Sequence, residues 1–414
     1  MLAMRDAKRC NASVRICQVS LSLILVASIC FYTESTMLIY LAMSGIGIVA
    51  VFSNAIFKAL QRRELLVEPC ICWLVLIYAL FTTYGVLFLR YGEYNWDSML
   101  FNCISGIAVY LSTRDLLRAE GGGARFFQVL VFVSICVLVI VVERERALLF
   151  SGVRLGDTLS GNVNTVGRSL GTLSLFLSYW VMQTKSKGLV CVLLLVGAAA
   201  LLTGSKGVLV FFAADLLVMQ RLAKNKVMAN TLIVGAVFLS VFLVFETPQL
   251  YQVLGSRIED ALYQLLGVGP GHYSWSTDAR GGMIEEGLTA FFDHPLFGGG
   301  EKYFASISSF GYGYSHCNYV ELLCNYGLAG LIAFYAPILW ALWRVAACDE
   351  ATRSLKCLAV AVVIVFLVAD WSTVTYSSII MAYFPALFVF ALSRTCVVGK
   401  SREGMGAEKP SLES

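Results

Sequence analysis

Charge is what this sequence has least of. Asp, Glu, Lys and Arg together supply 14% of its 414 residues against 58% hydrophobic types, and mean hydropathy is +0.75. A soluble globular chain carries about 25% charged residues, so this shortage excludes an ordinary water-soluble domain and implies an integral membrane protein. There are only three histidines, and neither Cys70 with Cys72 nor His316 with Cys317 and Cys324 has the spacing of a zinc site. The thirteen cysteines are odd in number and scattered through apolar runs, which argues against a disulfide framework and for buried structural thiols. No small-residue cleavage site separates the first apolar run from the second, so an uncleaved first span is expected. No internal repeat announces an inverted-repeat transporter. The run GVGPGH has no strand before it and is only superficially like a phosphate loop.

Long apolar runs, by contrast, are abundant. About 17–25 residues of helix cross the hydrocarbon of a bilayer, and runs of this kind recur near 16–33, 37–57, 66–89, 97–113, 126–142, 163–183, 188–204, 207–220, 229–246, 317–343, 357–371 and 374–393. The expectation is an all-α polytopic bundle of about twelve spans. Most of the 31 basic residues fall in alternate joints, for example Lys58, Arg62 and Arg63, then Arg114, Arg118 and Arg125, then Arg221, Lys224 and Lys226. The positive-inside rule makes that side the cytoplasm, with both termini on it. The net charge of +4 therefore reports topology rather than nucleic-acid binding.

The division expected is nine spans over 1–246, a large extracytoplasmic loop over 247–315, three more spans over 316–398 and a polar, disordered cytoplasmic tail over 399–414. Within the loop, Leu254, Ile258, Ala261, Leu262 and Leu265 recur at helical spacing until Gly267, Gly269, Pro270 and Gly271 end the pattern. A second helix places Ile284, Leu288, Phe291 and Phe292 on one face and stops at Pro295 and Gly298–Gly300. Both patterns fit amphipathic helices lying on the membrane surface.

At the outer ends of the spans, Arg168, Lys206, Arg280 and His316 fall in one layer. Three cations and an imidazole there suit a substrate with its tail in the bilayer and a phosphate or diphosphate at the surface, because cations stabilise phosphate oxygens and a base activates a hydroxyl. Arg257 is a further diphosphate candidate. Each residue also has an ordinary reading: Lys206 and Arg168 as snorkelling cations, His316 between tyrosines as an interfacial anchor, Glu285 and Glu286 as solvated helix residues. Asp215, near the middle of its span, is a costly place for an acid; it reads either as part of a proton-coupled carrier or as a buried carboxyl hydrogen-bonded to a neighbouring helix.

The runs DARGGMIEEGLTAFFDHPLFGGGEKYF and YGYSHCNYVELLCNYGLAGL resemble the C-terminal signature of the O-antigen ligase and polymerase superfamily. LLTGSKG is similar to that family's Thr-Gly-Ser-Arg-Gly turn, and GNVNTVGRSLG to its asparagine-containing entry to a span. The likeness covers roughly 161–340. It implies a glycosyltransferase of the plasma membrane, the inner membrane of a bacterium, that moves a glycan from undecaprenyl diphosphate to an acceptor hydroxyl on the outer face, with no cofactor and no metal. Polymerisation of lipid-linked repeat units is the preferred activity, ligation to a lipid A core the alternative, and a lipid-linked glycan transporter or flippase a third reading. Besides donor, acceptor and bilayer, the implied partners are other membrane proteins of polysaccharide assembly. On this resemblance His316 is the general base, Arg280 and Lys206 bind diphosphate, and Arg168, Asn318 and Arg257 join the substrate site. Two positions depart from the pattern: lysine replaces arginine at 206, losing the planar fork that grips phosphate, and Cys317 separates His316 from Asn318.

Overall fold

A computed structural model describes residues 2–62, 68–119, 121, 123–149, 151–160, 162–266, 275–349, 351–378 and 380–405. Arg63, the Gly267–Gly271 helix stop with the rest of GVGPGH, and the last part of the tail, 406–414, lie outside them. The described residues are helical, with no strand. Long helices run over Leu2–Cys30 (α1), Met37–Arg62 (α2), Pro69–Leu87 (α3), Trp96–Arg118 (α4), Ala124–Glu145 (α5), Val163–Thr184 (α6), Lys187–Leu202 (α7), Val208–Leu222 (α8) and Lys226–Glu246 (α9). Ser256–Leu266 (α10) and Trp275–Asp293 (α11) follow, then Asn318–Ala346 (α12), Arg353–Asp370 (α13) and Ile380–Met405 (α14).

Each of the twelve apolar runs overlaps one of these helices, the last beginning before the start of α14. Six helical stretches, on α1, α2, α3, α5, α9 and α12, are long and apolar enough to cross a membrane by length and composition. The protein is a multi-pass membrane protein. Helix α14 continues to Met405, past the expected start of the tail at 399.

Burial separates core from periphery. Along α14, Ile380 to Leu392 are buried on every side of the helix, the mark of a helix surrounded by others. It packs on α4 and α12, and Phe384 and Phe388 meet Phe126 of α5 and Phe176 of α6 with ring centroids 4.8–6.3 Å apart. Helix α9 is the opposite case. Only 6% of its apolar window is buried, as expected of a helix with lipid along most of its surface.

Helices α10 and α11 form where the sequence places them, but α11 does not turn its large apolar face inward. Ala279, Met283, Gly287 and Ala290 are buried among its described residues, beside Phe304 and Cys324, whereas Leu288 and Phe292 are exposed. Small residues decide the docking: a Cβ at Gly287 would lie 2.3 Å from Val320 of α12, and one at Gly282 would lie 2.3 Å from Phe310. Of the two acids taken as solvated, Glu286 instead accepts from the backbone N–H and hydroxyl of Ser309, tying α11 to the segment that leads to His316.

Candidate active site

The site is built on a broken helix. At Gly327, φ 65° and ψ −163° interrupt α12, which frees carbonyls above the break and N–H groups below it. The turn Pro295–Gly300 supplies their partners. Gly299 and Gly300 N–H donate to the carbonyls of Cys324 and Asn325 at 2.9 and 3.1 Å, while Leu328 and Ala329 N–H donate to the carbonyls of Pro295 and Leu296 at 2.9 and 3.1 Å. Buried backbone polar groups have to be paired, and here one motif pairs the groups that the other leaves open. Arg90, in the connection from α3 to α4, donates from Nε to the Gly299 carbonyl at 2.7 Å. Glu301, next in the turn, is buried and accepts from the Tyr326 hydroxyl. Its carboxyl is pushed up to about 8, by burial first and the Glu321 carboxylate second.

His316 stands two residues before α12 with φ at +58°. A left-handed non-glycine residue is uncommon and costs energy unless its surroundings impose it, and here both neighbours are pinned. Ser315 N–H donates to Glu321 Oε2 at 2.6 Å, its hydroxyl donates to the Cys317 carbonyl at 2.9 Å, and Cys317 N–H donates back to Ser315 Oγ at 3.3 Å. Ser315 and Cys317 are fully buried, so the turn is anchored on both sides of a half-buried imidazole. Tyr314 and Tyr312 flank the ring at centroid distances of 4.3 and 5.5 Å. The imidazole is pushed down to about 4, by burial first and by the Arg280 guanidinium second. Arg280, on the second turn of α11, makes no hydrogen bond or ion pair to a described residue, and its charge acts on both His316 and Tyr314.

Asn318 and Arg168 meet behind this turn on one acid, Asp370. Asp370 Oδ1 accepts from Arg168 Nη2 at 2.9 Å; Oδ2 accepts from the hydroxyls of Tyr335 and Thr375 at 2.7 and 2.9 Å and from Asn318 Nδ2 at 3.3 Å. Asn318 Oδ1 accepts from the N–H groups of Thr375 and Tyr376, which fills its side-chain amide with bonds to α12, α13 and the connection to α14. Arg168 also donates to Thr373 Oγ1 and the Ala382 carbonyl. With Cys317 between them, Asn318 clamps the bundle and His316 takes no part in that clamp.

Lys206 and Arg257 stand on two segments that meet at Gly204 and Val253. The Thr203–Gly207 turn is held by Arg154, whose Nε donates to the Thr203 carbonyl at 2.7 Å and whose Nη2 donates to Asn164 Oδ1 at 3.0 Å. Gly204, at φ +60°, lies so near Val253 that a Cβ would be 2.5 Å from its carbonyl oxygen, and Arg257 follows Val253 by one helical turn. Arg280, not Lys206, is the cation that acts on His316. Asp215 accepts from Ser174 and Ser178 of α6 at 2.8 and 3.1 Å, the hydrogen-bonded carboxyl of the second reading given above.

With this geometry in view, residues 190–335 match a family model described as O-Antigen ligase. That stretch, about a third of the chain, is similar to O-antigen ligases. That likeness supports the ligase and polymerase superfamily, a family that implies lipid-linked glycan substrates and a bilayer setting. The matched stretch contains Lys206, Arg257, Arg280, His316, Asn318 and the break at Gly327, and it excludes Arg168 and Asp370. No curated protein matches the chain. Asp370, Glu321, Tyr335 and Arg154 were not anticipated. The signal for Asp370 was present in VVIVFLVAD, an acid at the end of an apolar run, which is grounds for suspicion.

Proposed function

We propose that this protein is a polymerase of undecaprenyl-diphosphate-linked repeat units, acting on the extracytoplasmic face of a bacterial plasma membrane through twelve spans. His316 is the general base. It accepts the proton of an acceptor sugar hydroxyl as that oxygen bonds to the anomeric carbon of the donor; the bond from that carbon to the diphosphate oxygen breaks, and the diphosphate leaves with the electron pair. A positioned base is worth about 10²–10⁴-fold. Arg280, with donors unspent, meets the charge growing on the diphosphate, and Lys206 and Arg257 extend the anion site along the loop. Since the donor already holds a good leaving group, no nucleotide is required.

The observation that carries this reading is His316 held in a left-handed turn beside Arg280, neutral at physiological pH and so able to take a proton. Asn318 and Arg168 act as positioning residues, because Asp370 and its neighbours occupy their polar atoms. Complementation of a deletion strain tests the base: His316→Ala should lose elongation, and full-length glycan from that variant would refute the assignment. The ligase description of the matched model favours a second reading, transfer to a lipid A core. Product size decides between them, since loss of a polymerase leaves single repeat units on the final acceptor and loss of a ligase leaves long chains on the carrier.

A further inference from the structure

A cavity of about 250 Å³ opens between the start of α6 and the connection from α13 to α14, lined by Tyr32, Asn162, Thr165, Arg168, Ser169, Thr373, Ser377, Ser378 and Ala382. The proposed reaction above, on which this inference rests, gives this space no task. We propose that it binds a sugar ring of the acceptor glycan, holding the chain whose hydroxyl attacks at His316.

Three features fix the class of ligand. The first is charge. The only ion among the lining residues is the Arg168 guanidinium, and it is neutralised by Asp370 at 2.9 Å. A diphosphate would find no unspent cation here, unlike at Arg280. The second is the lining itself, which is mostly hydroxyl and amide. Ser169 and Ser378 donate to carbonyls of their own turns, at Thr165 and Val374, and Thr373 accepts from Arg168. Thr165 and Ser377 make no side-chain hydrogen bond to a described residue, so their hydroxyls can both donate to and accept from an uncharged polyol. Tyr32, half-buried in the connection after α1, adds an aromatic wall for the C–H face of a pyranose. The third feature is size. Pockets for drug-sized ligands run to about 300–1,000 Å³, and this one is just below that range, with room for a single ring.

The position links the cavity to the chemistry. Arg168 in its wall and Asn318 behind the histidine turn share the Asp370 carboxylate, and Asn318 is two residues from His316. A ring seated against Arg168, Thr165 and Ser377 thus lies on the hydrogen-bond network that reaches Asn318, two residues after His316.

The probe is the repeat-unit oligosaccharide released from the host's own lipid carrier, used without its diphosphate. Binding to the purified full-length protein in nanodiscs is measured by saturation-transfer NMR titration. Thr165→Val with Ser377→Ala removes the two unpartnered hydroxyls at nearly constant volume and should weaken binding by about tenfold or more. Ser377→Cys, reacted with a bulky methanethiosulfonate, should lose binding and regain it when dithiothreitol releases the adduct, which shows that the same protein is folded. Affinity that survives either treatment, or an absence of binding by the wild-type protein, overturns the proposal. Because binding is read without turnover, retained elongation in His316→Ala would remove the catalytic reading and leave this result standing, and the reverse holds equally.

Discussion

Gly298 lies against Asn325 so closely that a Cβ on the glycine would sit 2.3 Å from the Asn325 carbonyl carbon. The two residues belong to the two motifs that first suggested the family, and their contact is backbone against backbone. Gly298 is at φ +71° and Gly327 at φ +65°, and a Cβ on Gly327 would lie 2.5 Å from the Leu296 carbonyl. Gly298→Ala should therefore be strongly destabilising: the left-handed backbone alone costs about 1–3 kcal/mol, and no flexible side chain is there to move aside. Gly281, in α11 with open space around its Cβ position, is the control. Gly281→Ala should be neutral or stabilising by about 0.5–1 kcal/mol. Thermal unfolding in detergent separates the two.

The pH dependence of transfer should report the environment of His316. Imidazole ordinarily titrates near 6.5, and here burial and Arg280 favour the neutral form down to about 4. The neutral form is the base, so activity is kept on the alkaline side and lost as pH falls through the lowered value. The acid limb of kcat/KM, which reads the free enzyme, should have its midpoint near 4. Bound diphosphate offsets the charge of Arg280, so the acid limb of kcat should lie higher. Arg280→Gln should raise the kcat/KM limb only part of the way to 6.5, because burial is the larger cause, and should lower kcat/KM by about 10²–10³-fold. An acid limb at 6.5 in the wild type would rule out the assigned environment.

Asp370 and Arg168 form a buried ion pair in which the acid is fully enclosed. Removing one partner of such a pair leaves an uncompensated charge and costs about 3–5 kcal/mol. Asp370→Asn should destabilise on that scale and also loosen Asn318, so the remaining folded protein should lose kcat with little change in donor KM. Arg168→Gln combined with Asp370→Asn should be less damaging than the sum of the single changes. Strict additivity in unfolding measurements would show that the pair is not coupled.

The helical runs were legible because a bilayer demands long apolar helices, and that demand leaves a coarse pattern. The helix Trp275–Asp293 was legible too, but its docking face was not. Leu288 and Phe292 look like a core stripe, yet Ala279, Gly287 and Ala290 let α11 approach α12 closely, and large side chains would prevent it. His316 and Arg280 could be singled out as polar groups beside an apolar run. Asp370 could not be paired with Arg168 from the sequence, since two hundred residues separate them and only tertiary packing brings them together. The tie between the Pro295–Gly300 turn and Gly327 is of the same kind: the glycines are visible, the hydrogen bonds that need them are not.

Asp215 offers the sharpest separation between transfer and transport. A proton-coupled carrier would need this acid to exchange its proton during each cycle, so Asp215→Asn would abolish function. In the structure both carboxyl oxygens accept from serine hydroxyls of α6, Ser174 at 2.8 Å and Ser178 at 3.1 Å, an arrangement that joins two helices and offers the acid no described cation. An asparagine keeps the size and one acceptor oxygen while its NH₂ can donate to a serine hydroxyl, so the link survives in altered form. Interhelical hydrogen bonds in membranes are worth about 0.6 kcal/mol on average, which sets the scale of the loss. Asp215→Asn should thus lower thermal stability slightly and leave release of polyprenyl diphosphate from a lipid-linked glycan near the wild-type rate in detergent, where no gradient exists. Loss of that release in a folded Asp215→Asn protein would return the acid to the mechanism, and release by the wild type only across an energised membrane would favour the carrier.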